Sequence, residues 1–468
     1  MSLSIEPNHQ APLYTTREAA TAGGARLRIA VVGAGIAGLA AAWLLARRHD
    51  VTLYEGAGHF GGHANTVVVP APEGPCAVDT GFIVYNTACY PNLIALFAHL
   101  DVPTAASNMS FSVSLEGGSY EYSGTGVHGL LGQPANLLRP AHWRMTADIL
   151  RFFREARTLA AADAADDAPL GAWLAERGYS EAFVQRHIAP MAAAIWSTPA
   201  SDALAYPVCA FARFFANHGL LQVRDRPQWR TVSGGSREYV RRLLADAPIA
   251  RAVGTPVAAI ERGREQAHIV TGTGQRASFD HVVLACHADD ALRLIGGGDA
   301  KERELLGAFR YAANEAVLHT DTRLMPRRRR LWSSWNYAGG GDGPRVRVTY
   351  WMNRLQPLAT ATDLFVTLNP ADDIPAERVR GRFTYHHPQF DAAALAAQRR
   401  LWQLQGRQRA WFCGSYFGAG FHEDALQAGL AVAEDLGGVR RPWRVRDESS
   451  RIHRTRVPVP QHAAVHAP

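Results

Sequence analysis

An α/β fold, in which a parallel sheet is interrupted by a long insert of helices and mixed sheet, is predicted for this 468-residue chain. Three observations predict it. Residues 29–32 form an apolar, β-branched run, followed by glycines at 33, 35 and 38, a helical pattern to about Arg48 and a second apolar run at 51–54. Between 134 and 219, apolar residues recur at spacings of three and four, as in helices that bury one face. Between 311 and 385 the pattern changes to short alternating runs, as in half-buried strands.

The first of these carries the most chemistry. RIAVVGAGIAGLAAAW places GxGxxG between a strand and a helix. Gly33 permits the tight turn, Gly35 lets backbone amides approach a pyrophosphate, and Gly38 lets helix and strand pack closely. Ile36 and Ala37 open the helix whose positive N-terminus faces the phosphate. Glu55 ends the second strand about twenty residues beyond the glycines, where a carboxylate accepts hydrogen bonds from an adenosine ribose. The composite predicts a Rossmann-like domain for FAD or NAD in preference to NADP. Residues 29–46 carry no charge and approach the length of a membrane span, but three helix-weakening glycines argue against one.

The remaining elements follow in order. Residues 1–26 have no apolar core and read as a disordered lead-in, not a signal peptide. Gly61 and Gly62 let a loop pass close to a bulky group, and 77–86 read as a strand and a glycine turn. Residues 90–100 read as a helix and 110–122 as a hairpin broken at 116–119. The helical insert contains candidate helices at 143–162, 170–177, 181–195 and 207–217. At 231–236 a turn leads into a helix, and 257–261, 268–270 and 280–285 read as strands of the nucleotide domain. Residues 346–351 and 364–368 are strands of the second sheet, 391–405 a helix, and 410–434 a strand, loop and helix. The nucleotide-binding domain is thus expected in three pieces, 27–105, 226–308 and 406–438. The substrate domain falls into 106–225, largely helical, and 309–405, mostly sheet, with 439–468 a basic flexible tail.

Composition narrows the function. Five scattered cysteines without CxxC spacing indicate neither a metal site nor a disulfide framework, and a reducing cytoplasm fits them. One lysine and 48 arginines against 42 acids give a net charge of +7. Part of the excess lies after residue 439 and part in Arg327 to Arg330, beside Trp332 and Trp335. Arginines next to tryptophans suit an anionic lipid surface, so peripheral contact with the inner face of the membrane is one expectation. A solvated loop and a frayed tail is the other. No nucleic-acid module accompanies either patch.

GGHANT, DTGFIVYN and GFHEDALQAG resemble motifs of the flavin-containing amine oxidase and phytoene desaturase superfamily, whose FAD domain is Rossmann-like and of the GR2 type. The resemblance implies FAD contacts from Gly61, Gly62 and His63, with His59 and His63 at positions that are basic in the family. It also places Asp79, Gly81 and Phe82 along the isoalloxazine ring, Val257 at the adenine, and Gly414, Ser415 and the backbone of His422 near the reduced flavin. No cysteine lies between 380 and 389, where some relatives attach flavin, so non-covalent FAD is expected.

Amine oxidases of the superfamily usually hold a lysine that positions a water at flavin N5, and 311–319 contains none. The likeness is closer to a bacterial subgroup of NAD/FAD-binding proteins marked by GGHANT, DTGFIVYN, VTYWMNRLQ and GFHEDALQAGLAVAE. Relatives there are implicated in converting monounsaturated acyl chains, often in phospholipids, to conjugated dienes. The leading expectation is therefore dehydrogenation of an unsaturated acyl chain by hydride transfer to flavin N5. The alternatives are an amine or polyamine oxidase releasing hydrogen peroxide and a non-catalytic FAD-binding protein. Tyr350, Trp351 and Phe421 are candidates to stabilise an allyl cation. His422, Glu423 and Asp424 are candidates for the base, with His386 and His387 behind them. The sequence leaves the electron acceptor open.

Overall fold

The computed structural model describes residues 14–16, 25–161, 168–196, 200–222, 226–339, 347–370 and 374–455. Most of the lead-in and the end of the tail lie outside them. Five parallel strands form the central sheet: β1 (Arg28–Val32), β2 (Asp50–Tyr54), β3 (Ala250–Ala252), β4 (His281–Leu284) and β5 (Ala410–Phe412). Their order is β3-β2-β1-β4-β5. The winding therefore reverses between β1 and β4, and such a reversal opens a crevice at the carboxyl ends of the strands.

Helix α1 (Ile36–Leu45) leaves that crevice and is buried along its whole length. A helix apolar all round needs cover on every side. The sheet covers one side and the C-terminal helix His422–Gly437 another. Small residues permit the approach: a Cβ on Gly38 would come within 1.9 Å of the Gly33 carbonyl oxygen, and one on Gly429 within 2.1 Å of the Ala37 carbonyl oxygen. The uncharged run 29–46 is thus a strand, a turn and a buried helix. No helix among the described residues is long and apolar enough to cross a membrane.

The insert forms the other half. Its seven-stranded mixed sheet runs Val379–Gln389, Arg310–His319, Phe365–Leu368, Arg347–Trp351, Trp335–Gly339, Phe111–Leu115 and Tyr120–Ser123, so the predicted hairpin closes one edge. The strands Val257–Arg262, Ala267–Thr271 and Arg276–Phe279 form a separate antiparallel sheet outside the central one. The helical block is held by aromatic packing: Phe152 of Pro140–Ala161 meets Phe183, Phe211 and Phe215 at ring separations of 5.6, 6.2 and 6.4 Å. The single helix expected at 181–195 is broken by a π-turn at Val184–Ile188. Pro190 accounts for it, because it lacks an N–H and its ring crowds the carbonyl four residues earlier.

The segment read as a flexible basic tail is built into the fold as far as residue 455. Arg441 and Glu434 form a fully buried pair at 2.9 Å, and Arg441 also donates to Asn92 Oδ1. Trp443 stacks on Trp43 at 5.7 Å, and Trp443–Arg444 pairs with Thr15–Thr16 of the lead-in. Buried charges persist only when paired and hydrogen-bonded. Arg441 therefore serves the interior, whereas Arg444 and Arg446 are exposed. The arginine–tryptophan run is structural in part: Arg328 donates to buried Glu121 at 2.7 Å, Trp332 is buried with its indole on the Pro326 carbonyl, and Trp335 faces the large cavity, while Arg327, Arg329 and Arg330 are exposed.

Candidate active site

One cavity of about 870 Å³ runs from the sheet crevice into the insert. At the crevice end its wall is largely backbone. Gly33 adopts φ +101°, and a Cβ there would meet the Ala285 carbonyl oxygen at 2.6 Å. Gly35 caps α1 with no side chain on the free amides, and a Cβ on it would meet nothing within 4 Å. Gly62 sits against it, its Cβ position 3.1 Å from the Gly35 Cα. The result is a cradle of unpaired helix-terminal N–H groups, suited to a pyrophosphate. Glu55 lines the same end and accepts from the amides of Ala34 at 2.9 Å and Ala57 at 2.8 Å. Each carboxylate oxygen keeps a second lone pair for a ribose hydroxyl.

Beyond the cradle, Ile36, Ala37, Gly61, His63, Gly81, Phe82, Gly414, Ser415 and His422 all reach the wall. Phe82 stacks on His422 at 3.7 Å, and His422 Nε2 shares a 2.8 Å hydrogen bond with the Tyr239 hydroxyl. Burial pushes His422 down to about 3, so its ring is neutral. His63 lies 4.9 Å from Tyr385 and 5.6 Å from His387. Burial first, and then the surrounding histidines, hold it well below the usual imidazole range. His387 is pushed down to about 4 by burial, and His386 also reaches the wall.

Several expected residues lie elsewhere. Gly38 contacts only protein, as helix packing requires. Val257 belongs to the separate sheet and is absent from the wall. Asp79 is buried behind it, accepting from Thr66 Oγ1, Ser236 N and Oγ, and Gln356 Nε2, with burial raising it to about 6. Trp351 packs among Met325, Trp332 and Phe365 and donates its indole N–H to Asp363.

Glu423 and Asp424 are absent from the wall as well, although Phe421, His422 and Ala425 stand on it. Glu423 accepts from the amides of Asn92 and Leu93 at 3.0 Å each, which caps helix Pro91–His99, and from the side chains of Asn92 and Gln427. Asp424 accepts from its own helix start at Phe421 N and from Arg451 at 3.1 Å. Acids in the first turn of a helix suit its dipole whether or not they do chemistry. These two point away from the cavity because fold-building partners claim them.

The insert half of the wall is apolar and aromatic: Phe111, Leu130, Ile149, Phe153, Met191, Trp196, Phe214, Trp335, Tyr350 and Phe421 among others. Two histidines interrupt it, and Arg226 brings the wall its one arginine among the described residues. His187, in the π-turn, shares a 2.9 Å hydrogen bond with the Tyr122 hydroxyl and is pushed down to about 4 by burial. His218 stacks on Phe214 at 3.9 Å, lies 5.4 Å from Phe421, and is pushed down to about 3 by burial. Its Nδ1 is 2.9 Å from the Phe214 carbonyl oxygen, which can only accept, so Nδ1 carries the proton. Nε2 is left as an acceptor with no partner among the described residues. Nothing in the sequence marked His218, which ends a helix far from every motif.

Residues 36–356 match the family model for flavin containing amine oxidoreductase, more than half of the chain. The chain belongs to that family. No curated protein sequence matches it. Among solved structures it resembles the CLA-producing fatty acid isomerase from P. acnes, at 18% identity and TM-score 0.61, over 86% of this chain and 97% of that one. It also resembles putrescine oxidase bound to putrescine, at 16% identity and TM-score 0.64, over 88% and 99%. Cyclohexylamine oxidase from Brevibacterium oxydans IH-35A is a third, at 16% identity and TM-score 0.60, over the same shares. The shared fold spans enzymes of unlike substrates, so it does not choose among them. The family makes the protein an FAD-dependent oxidoreductase, and the glycines of the turn, Glu55 and the loop at Gly61 and Gly62 are the residues that would hold the dinucleotide.

Proposed function

We propose that the protein dehydrogenates an unsaturated fatty acyl chain. The observation that carries this is the distribution of charge on the wall: Glu55 and Asp290 are its only carboxylates among the described residues, and both stand at the nucleotide end. A polyamine brings several positive charges that an apolar wall rejects unless acids pair with them. An acyl chain brings methylenes, each worth about 0.8 kcal/mol on leaving water.

FAD supplies a two-electron acceptor that takes a hydride. The chain's own residues do the rest. Phe421 and Tyr350 present aromatic faces to the allylic cation left behind. His218 takes the proton whose loss completes the diene. A proton next to such a cation is strongly acidic, so a weak but neutral imidazole suffices, and burial keeps His218 neutral. The apolar lining offers water few partners beside the cation.

The test is anaerobic mixing of the yellow protein with monounsaturated phospholipid or with spermine while flavin absorbance is followed. Bleaching by the lipid and not by the amine is expected. Bleaching by spermine alone sinks the proposal and restores the amine oxidase reading, and bleaching by neither favours a non-catalytic flavoprotein.

A further inference from the structure

Seven large apolar side chains are exposed among the described residues, and five of them, Val127, Leu137, Leu138, Trp143 and Leu150, fall within 24 residues of sequence. They share one region: the short helix Gly126–Leu130, the turn Pro134–Leu138 and the first half of helix Pro140–Ala161. Leu138 is 87% exposed and Val127 68%. On the long helix, Trp143, Ala147, Leu150 and Arg154 are all exposed and follow one another at i, i+4, i+7 and i+11, one face of a helix. The opposite face, with Met145, Phe152, Phe153 and Ala156, is already buried in the core. A helix of a water-soluble surface turns charge outward on the side away from the core. This one turns out a second apolar stripe, ending in arginine.

Two further observations say what covers it. Gly124, Thr125, Gly126 and Leu150 are exposed and also stand on the wall of the large cavity, so the cavity opens within the apolar face. The rim is cationic. From 124 to 158 there are five arginines and two acids. The acids are occupied: Asp148 is buried and accepts from Ser180, and Glu155 pairs with Arg151 at 2.8 Å. Arg154 and Arg157 are exposed with no acidic partner among the described residues, and the Arg144 side chain is 67% exposed with Asp148 at 3.9 Å. Beside Leu138, Arg139 and Arg186 both lie over the Tyr120 ring in a shallow cleft that also holds Glu116.

We propose that this face docks on an anionic phospholipid bilayer, with Val127, Leu138 and Trp143 entering the interface, the arginines on phosphates, and acyl chains entering the cavity beside Leu150. Tryptophan at headgroup level and basic residues at the surface are the usual means of such attachment. A second copy of this chain fits less well, since a symmetric contact would set these arginines against themselves. The entry role rests on the acyl-chain reading, whereas the docking does not. The arginine–tryptophan run at 327–335 takes no part, because its tryptophans face inward.

The test is flotation of the holoprotein with vesicles of 30% phosphatidylglycerol in phosphatidylcholine, alongside flavin reduction by monounsaturated lipid in vesicles and in detergent micelles. The variant replaces Val127, Leu138 and Trp143 with serine; all three are exposed and none lies on the wall of the large cavity. Wild type is expected to float, the variant to lose at least ten-fold in bound fraction and in vesicle-supported reduction, and its micellar rate to stay within two-fold. A variant with Arg327→Ser, Arg329→Ser and Arg330→Ser is expected to float like wild type. The docking is overturned if wild type does not float, if the serine variant floats equally, if the arginine variant alone detaches, or if the face proves to hold a dimer that the serine variant dissociates. Flotation without flavin reduction from either lipid form leaves the docking standing and removes the acyl-chain reading.

Discussion

The two ends of the cavity are built on opposite terms. At the crevice, backbone makes the site: three glycines, a free helix N-terminus and one carboxylate within a single stretch of chain. At the far end, side chains make it, drawn from segments as distant as Phe111, His187, His218 and Tyr350 of the insert and Phe421 at the start of the C-terminal helix. A backbone site tolerates no added atom, whereas a side-chain site is retuned by exchanging one group for another. The cofactor end is accordingly fixed by backbone geometry, and the substrate end by the choice of side chains.

Substitutions at each end separate these terms. The largest effect is expected from Gly35→Val, which fills the cradle and should give colourless protein, read as the ratio of flavin to protein absorbance. Retained yellow colour would mean that the cofactor is held elsewhere.

Next comes Glu423→Ala. It strands the amides of Asn92 and Leu93, and hydrogen bonds to a charged group are worth about 1.5–3 kcal/mol each. A large fall in melting temperature is expected, with flavin reduction in the surviving holoprotein nearly unchanged. Full stability with lost turnover would return Glu423 to the chemistry.

His218→Phe should show the converse, with flavin content and melting temperature close to wild type and reduction slower by about 100-fold or more. Unchanged rates would dismiss it as the base.

Acid gives the smallest and broadest effect. His63, His187, His218, His387 and His422 all have folded pKa values below the unfolded 6.5, so the unfolded chain binds more protons. Their stabilisation is complete above about pH 6.5 and is lost as pH falls toward their folded values. A single histidine in that window costs about 1.4 kcal/mol per pH unit. Asp79, raised to about 6, and Glu423 and Asp424, also raised by burial, oppose them. Thermal unfolding should therefore begin lower at pH 5.5 than at 7.5, and a flat profile would show the histidines to be hydrated.

How much of this the sequence revealed follows the same division. Gly33, Gly35, Gly38 and Glu55 were legible because turn, helix start and acid are neighbours in sequence and each does one geometric job. Glu423 and Asp424 were misread because a helix-start acid looks the same whether it caps its own helix, another helix over 300 residues away, or a substrate. Trp351 was misread because strand alternation does not say which face meets the cavity. Arg441 and Arg451 were hidden in a composition that resembles a disordered tail, since a charge that will be buried differs from a solvated one only through its partners, Glu434 and Asp424.

The central claim is that the insert end accepts an uncharged chain. It is tested most directly by anaerobic flavin reduction with a series of monounsaturated acyl substrates that differ by single methylenes. At about 0.8 kcal/mol per methylene, the substrate concentration for half-maximal rate should fall by about four-fold for each one added until the cavity is full. A half-maximal concentration that ignores chain length, with rapid reduction by a polyamine, would contradict it.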